Sequence, residues 1–356
     1  MEQSETDSVL VNTVTRIFSE LSTSDVINRA EKGEPQEQLW QALSETAIPW
    51  AWAPEEYGGA GLSVRECGPV VRLSGKYAVP APLCETLISA WLLARTGCEV
   101  PTTSLTVAPV NSTGSVTLSA DGRLHGVVYK VSYAAEAEQI IVIVPRDTEY
   151  AIVSVSKQEA QLSQGTNLAG EPLNDIRFND LNVNIIKRCK HPRLVEAVHR
   201  VGALVRSLQM AGALDRILEM TVEYALERKQ FGRPIAGFQA VQHNIAVLAE
   251  EAAAAQCAAD NGLMQWAKFG IDDRRTEFAI AAAKIRCGEA AARGAKIAHQ
   301  VHGAMGFARE YPLHQFTRRL WSWCDDFGST SDWAVKLGYL VCREGSTALW
   351  PTVTAM

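Results

Sequence analysis

"YALERKQFGRPIAGFQAVQ", residues 224–242, decides how the last third of this chain is read. It places Arg228 near the end of one long helix, breaks at Gly232-Arg233-Pro234, and opens a second helix with Gln239 and Gln242. Proline lacks the N–H that a helix interior needs and glycine is a poor helix former, so two separate helices are expected. Beyond the break, Phe238, Val241, Ile245, Leu248 and Ala252 form one apolar stripe at helical spacing, and Phe278, Ala281, Ile285 and Ala292 form another. The run 252–255 is all alanine, and small side chains let helices approach closely. Residues 191–356 therefore read as a C-terminal antiparallel helical bundle.

Toward the N-terminus the texture changes. "SLTVAPV", "SVTLSA", "RLHGVVYKVSY", "QIIVIVP", "YAIVSVS" and "DIRFNDLNV" are short β-branched runs separated by Gly, Asn, Asp and Pro. They predict a middle antiparallel β domain over residues 104–190. Before it, Leu10, Val11, Val14, Ile17 and Phe18 recur with helical period, as do Leu39, Leu43 and Ala47. "APEEYGGAGLS", residues 53–63, is a turn between helices; no strand precedes its "GGAG" and no Gly-Lys-Thr follows, so a phosphate loop is not indicated. "VPAPLCETLISAWLLARTG", residues 79–97, enters a helix through prolines and stops at Gly97. Residues 1–103 thus form an N-terminal helical domain, and the chain is mainly α with a central β domain.

Composition narrows the function classes. Of 356 residues, 47% are hydrophobic and 21% charged, with a net charge of −6 and no long block of one sign, which argues against a nucleic-acid or anionic-membrane surface. The longest apolar runs, around Ile88–Ala94 and Ile140–Pro145, fall far short of a bilayer span. "MEQSETDSVL" is polar and acidic, unlike a signal peptide. Eight cysteines are scattered without a Cys-x-x-Cys pair, a pattern of reduced thiols that points to the cytoplasm and leaves the Asn111-Ser112-Thr113 sequon without meaning.

Three stretches carry candidate chemistry: the 224–242 segment, "AHQVHGAMGFAREYP" (298–312) and "CDDFGST" (324–330). An Arg at a helix end beside an exposed turn can fork onto a pyrophosphate, and nearby Gln side chains can bond ribose or adenine edges. The same residues also suit a surface ion pair and helix caps. His299 and His302 stand three apart with no acidic third ligand, so no metal site is read there.

"PEEYGGAGLS", "ERKQFGRPIAGFQAVQ" and "HGAMGFAREYP", in this order and flanking a β unit, resemble the acyl-CoA dehydrogenase family over nearly the whole chain. The resemblance implies an N-terminal helical domain, a middle β domain, a C-terminal four-helix bundle, and FAD held at a subunit interface. It implies that Arg228, Gln230, Phe231, Gln239, Gln300 and Gly303 reach the pyrophosphate and adenosine of a neighbouring subunit's FAD, with Ala304 replacing a second glycine. The residues a subunit uses for its own flavin are poor here. "LTVAPVNSTGSVTLS" lacks the family's Thr-Glu-x-x-Ala-Gly-Ser-Asp-like loop, and "YKVSY" stands where a Trp-Ile-Thr-like strand covers the ring, keeping one hydroxyl at Ser132.

The family's reaction removes a proton α to a thioester carbonyl while hydride leaves the β carbon, and it needs a carboxylate base. By register from Glu310-Tyr311-Pro312, the usual base position is Phe327; by register from Arg228, the alternative position falls at about Gly202. Neither is an acid, so no catalytic residue is assigned. The pattern resembles one subunit of the heteromeric α2β2 acyl-CoA dehydrogenases of bacterial steroid side-chain degradation. It implies a heterotetramer with a paralogous subunit that supplies the Glu, a bulky acyl-CoA substrate such as a steroid side-chain thioester, introduction of a 2,3-double bond, and an electron-transfer flavoprotein as acceptor. Two alternatives stay open: a self-sufficient dehydrogenase with Asp326 as base, and a non-enzymatic scaffold paralogue without flavin.

Overall fold

The computed structural model describes residues 2–108, 115–146, 148–183, 185–191 and 193–354. The chain divides into two compact units, one of Met1–Ile27, Gly68–Val79 and Gly202–Met356, the other of Asn28–Cys67 and Pro80–Val201. Its first helices are α1 (Glu2–Leu21), α2 (Ser24–Ala30), α3 (Glu37–Glu45), α4 (Val64–Lys76) and α5 (Leu83–Arg95). Val14, Ile17 and Phe18 of α1 and Leu39 and Leu43 of α3 are buried, as their spacing predicts. Helix α5 is buried without interruption from Leu83 to Leu93, and the left-handed Gly97 (φ 72°) follows its end.

The strands are β1 (Leu105–Ala108), β2 (Ser115–Leu118), β3 (Arg123–Ser132), β4 (Gln139–Arg146), β5 (Glu149–Ser156), β6 (Gln161–Leu162), β7 (Leu173–Asn182) and β8 (Ile185–Cys189). They form two four-stranded sheets, ordered β1-β4-β5-β8 and β2-β3-β7-β6. Leu124, Val128, Val131, Ile176 and Phe178 of one sheet share a core with Ile140, Val142, Val144, Val153 and Val155 of the other. The expectation of a wholly antiparallel unit needs one correction, because β1 pairs with β4 in parallel. The chain leaves the first sheet after β1, builds β2 and β3 in the second, and returns as β4; that long crossover is what parallel neighbours require. Strand β8, "IIKRC", was not legible as a strand, since Lys187 and Arg188 stand exposed on an edge where charge discourages further pairing. Residues 109–114, which include much of the expected flavin-loop segment and the sequon, lie outside the described residues.

The C-terminal elements are α6 (Leu194–Glu227), a hairpin of β9 (Lys229–Gln230) and β10 (Arg233–Pro234), α7 (Gln239–Phe269), α8 (Arg274–His302), α9 (Leu313–Asp325), α10 (Thr330–Glu344) and α11 (Ser346–Thr354). Small residues bring the long helices together. A Cβ on Gly294 of α8 would come within 2.8 Å of Leu214 on α6 and 3.1 Å of Leu248 on α7. One on Gly262 of α7 would stand 2.9 Å from Leu204 of α6. The stripe expected on α8 also needs correction: Ala281 is buried, but Phe278 and Ile285 are only half-buried and Ala292 is exposed. The buried face instead carries Ala283, Cys287, Ala290, Ala291, Gly294 and Ala298, because close helix contact selects small side chains over large apolar ones.

Helices α4 and α6 cross through reciprocal glycines. A Cβ on Gly75 would overlap the backbone of Gln209, and one on Gly212 would overlap the Arg72 carbonyl. Backbone cannot yield as a flexible side chain does, so Gly212→Ala should force the helices apart and cost roughly 1–3 kcal/mol. Thermal melts of the variant should show a clearly lowered Tm; an unchanged Tm would mean that the crossing is not tightly packed.

Candidate functional site

Helix α6 ends at Glu227, and the chain reverses through the β9–β10 hairpin, with Gln230 opposite Arg233 and Lys229 opposite Pro234. Both residues of the two-residue turn are left-handed, Phe231 at φ 53° and Gly232 at φ 78°, as a type I′ hairpin requires. Glycine takes that conformation freely, whereas Phe231 holds it at a cost of about 1–2 kcal/mol. The turn fixes the backbone of Arg228, whose amide donates to the Tyr224 carbonyl (2.9 Å) and whose carbonyl accepts from the Ile235 amide (2.8 Å). Its side chain is exposed and makes no hydrogen bond or ion pair among the described residues. Phe231 projects with 92% of its surface exposed and meets Phe238 edge-on at 6.1 Å.

The other expected site residues stand at the same end of the bundle. Gln239 begins α7, and α8 runs back alongside it after the short 270–273 turn, so the start of α7 and the end of α8 coincide. Tyr224 near the end of α6 stacks on His302 in the last turn of α8, with ring centroids 4.5 Å apart, which ties the third helix to that end. His302 donates from Nδ1 to the Ala298 carbonyl (2.8 Å), leaving Nε2 to accept from the Tyr311 hydroxyl (3.2 Å). This structural use of His302 was missed in the sequence, where the histidines were weighed only as metal ligands; among the described residues no side-chain cluster suits a metal ion. Gln300 lies exposed on the last turn of α8, and Gly303 closes it at φ 60°. Arg228, Gln230, Phe231, Gln239, Gln300 and Gly303 are thus all exposed at one end of three helices.

The two positions that the resemblance gives for a base lie elsewhere. Phe327 sits between α9 and α10 in a left-handed conformation (φ 53°), followed by Gly328 at φ 97°. Its carbonyl accepts a 2.9 Å hydrogen bond from Nε1 of the buried Trp333. Ser329 then starts α10 with a capping box, Ser329 Oγ accepting from the Asp332 amide and Asp332 accepting from the Ser329 amide. The Phe327 ring lies against the backbone of Gly202, where an added Cβ would overlap ring carbons. The two positions were assigned from separate motifs far apart in the chain, and they touch. Neither position holds an acid.

Asp326 is committed to another partner. Its carboxylate accepts from Arg206 Nε at 2.9 Å, and the Arg206 side chain is only 3% exposed. Arg206 also donates to Gln209 (2.6 Å), which donates to Ser74 (3.3 Å). The buried Lys284 donates to the Trp323 and Cys324 carbonyls at 2.7 and 2.8 Å, fastening the last turn of α9; burial pushes its ammonium down to about 8. In "YKVSY", Lys130 and Tyr133 are left-handed beside an irregularity in the β3–β7 pairing. Tyr133 is buried with its hydroxyl 3.5 Å from Glu171, and the Ser132 carbonyl accepts from Thr106 Oγ1 at 2.7 Å.

Comparisons with known proteins agree with this architecture. Residues 195–322 match the model of the acyl-CoA dehydrogenase C-terminal domain. The chain is 27% identical over 286 residues to acyl-CoA dehydrogenase IpdE2 of Mycobacterium tuberculosis, covering 80% of each protein. Among solved structures, it is similar to a chain of the ChsE4–ChsE5 complex from Mycobacterium tuberculosis, with a TM-score of 0.84, 23% identity, and coverage of 94% of this chain and 96% of that one. It is also similar to a variant of the Tcur3481–Tcur3483 steroid ACAD, with a TM-score of 0.85, 22% identity, and coverage of 96% and 99%. Among the described residues no helix is long and apolar enough to cross a membrane.

The histidines at the bundle end make this region pH-sensitive. Burial pushes the imidazoles of both His299 and His302 below the ordinary 6.5, so each is neutral in the fold. As pH falls below 6.5 the unfolded chain takes up these protons first; the stability they support is complete above that value and is lost on the way down. Urea midpoints measured between about pH 7.5 and 5.5 should fall for the wild type and fall less steeply for His302→Gln. Parallel slopes for the two proteins would contradict this assignment.

Proposed function

We propose, on the premise that this chain belongs to the acyl-CoA dehydrogenase family, that it is the base-lacking subunit of a heteromeric, cytoplasmic flavin-dependent acyl-CoA dehydrogenase. In this reading it lends Arg228, Gln230, Phe231, Gln239, Gln300 and Gly303 to FAD seated mainly on a paralogous subunit, which supplies the catalytic Glu. FAD, when bound, supplies the acceptor for the hydride that leaves the substrate's β carbon. The donor set fits such a group. A guanidinium on a pinned backbone can make bidentate bonds to pyrophosphate, amide side chains match ribose and adenine edges, and Gly303 leaves the backbone approachable.

The observation that carries the reading is a distance along one helix. Gly202 at the base position and Glu227 beside Arg228 both lie on α6, whose rise of 1.5 Å per residue separates them by roughly 40 Å. One extended dinucleotide cannot span that length, so a flavin touched by Arg228 is not one poised over this chain's own base position. The likeness to a chain of a two-protein complex, and to one described as a steroid ACAD, supports a paralogous partner and a bulky acyl-CoA such as a steroid side-chain thioester. An electron-transfer flavoprotein is the acceptor that this reading implies. Asp326 as a self-sufficient base is disfavoured by its ion pair with the buried Arg206.

Arg228 supplies the test. In the complex with its paralogous partner, Arg228→Ala should lower FAD content after gel filtration, with Arg228→Lys intermediate, because Lys keeps the charge but loses the fork. Turnover should largely recover with added FAD. Unchanged FAD content in intact Arg228→Ala complexes would make this a surface arginine and end the assignment.

A further inference from the structure

Loss of a base explains why position 327 is not an acid, but not why it is a phenylalanine. Any small residue would serve an unused position, and a glycine would sit without strain at φ 53°. Phe327 instead holds a left-handed backbone at a cost of about 1–2 kcal/mol, and its surroundings enforce that conformation. Trp333 bonds its carbonyl, Asp326 is tied to Arg206, Lys284 fastens the end of α9, and Gly328 continues the left-handed path. All of this presents the ring to Gly202, a residue with no Cβ in the interior of a helix. Glycine there is disfavoured relative to alanine, so its presence has a steric reason.

We propose that Phe327 and Gly202 form a plug that closes this subunit's own acyl site. The ring takes the volume in which the α and β carbons of an acyl group would meet a base, and Gly202 is the seat that admits the ring. The inference rests on the reading of this chain as the non-base partner and deepens it. The site is not vacant for want of one carboxylate; it is filled, and the assembly holds one acyl site for each pair of unlike subunits. The plug also bars simple restoration of a base. The guanidinium carbon of Arg206 lies 6.0 Å from the centre of the Phe327 ring, so a carboxylate placed at 327 would face a buried cation that opposes proton uptake.

The test measures acyl-site stoichiometry in the assembled complex, using S-octyl-coenzyme A, a thioether with no carbonyl to activate. Equilibrium dialysis should give one thioether per pair of unlike subunits for the wild type. Phe327→Gly removes the ring while tolerating the left-handed backbone, and should add a second, weaker, saturable site. Gly202→Ala should lower the Tm, and Phe327→Gly in that background should restore part of the loss, since the two substitutions act on one contact. Two sites per pair in the wild type would overturn the plug. So would one site in assembled, FAD-retaining Phe327→Gly, or additive Tm losses in the double variant. Failure of the heteromer reading itself looks different: the chain alone would carry FAD and turn over acyl-CoA, whatever the stoichiometry in the variants.

Discussion

Close approach along one face after another of helix α6 is the constraint on which the C-terminal region depends. Gly212 admits α4, Leu204 and Leu214 press on Gly262 of α7 and Gly294 of α8, and Gly202 admits Phe327. Each contact relies on a missing or small side chain, so α6 is held from several sides along its length. A helix held in this way acts as a ruler. It keeps the Phe327–Gly202 contact near one end and the Arg228 hairpin at the other, and neither can drift toward its counterpart without breaking several packed contacts at once.

That spacing gives the two ends different chemical fates. At the hairpin end, polar side chains face outward on a backbone fixed by the Arg228 and Ile235 hydrogen bonds, with strain stored at Phe231. The polarity and exposure there suit a ligand that another surface helps to bind. At the other end, the groups face inward: Arg206 pairs with Asp326, Lys284 spends its donors on carbonyls, and Phe327 packs on Gly202. These polar groups already have partners within the protein, and the phenyl ring beside them has no acid–base function.

Much of the fold was legible because the punctuation is physical. Gly232 and Pro234 mark the hairpin, Gly97 stops α5, and the β-branched runs mark most strands. Phe327 and Gly202, reached by counting from two separate motifs, are in contact, and no local pattern in the sequence announces that packing. The parallel β1–β4 pair was hidden because pairing direction depends on the route between sheets, which local text does not carry. The buried face of α8 was misjudged because hydrophobicity was used where residue size decides. Arg206 with Asp326, and Tyr224 with His302, escaped notice because their partners are far apart in sequence and no local pattern announces them.

The central claim is that this chain completes another subunit's flavin site and has no working site of its own. The most direct measurement is the flavin absorption of the purified chain, expressed alone and then together with a paralogous subunit that carries the base. The account predicts a colourless protein alone and a yellow complex with FAD when the two are made together. A yellow, acyl-CoA-oxidising protein obtained from this chain by itself would contradict it.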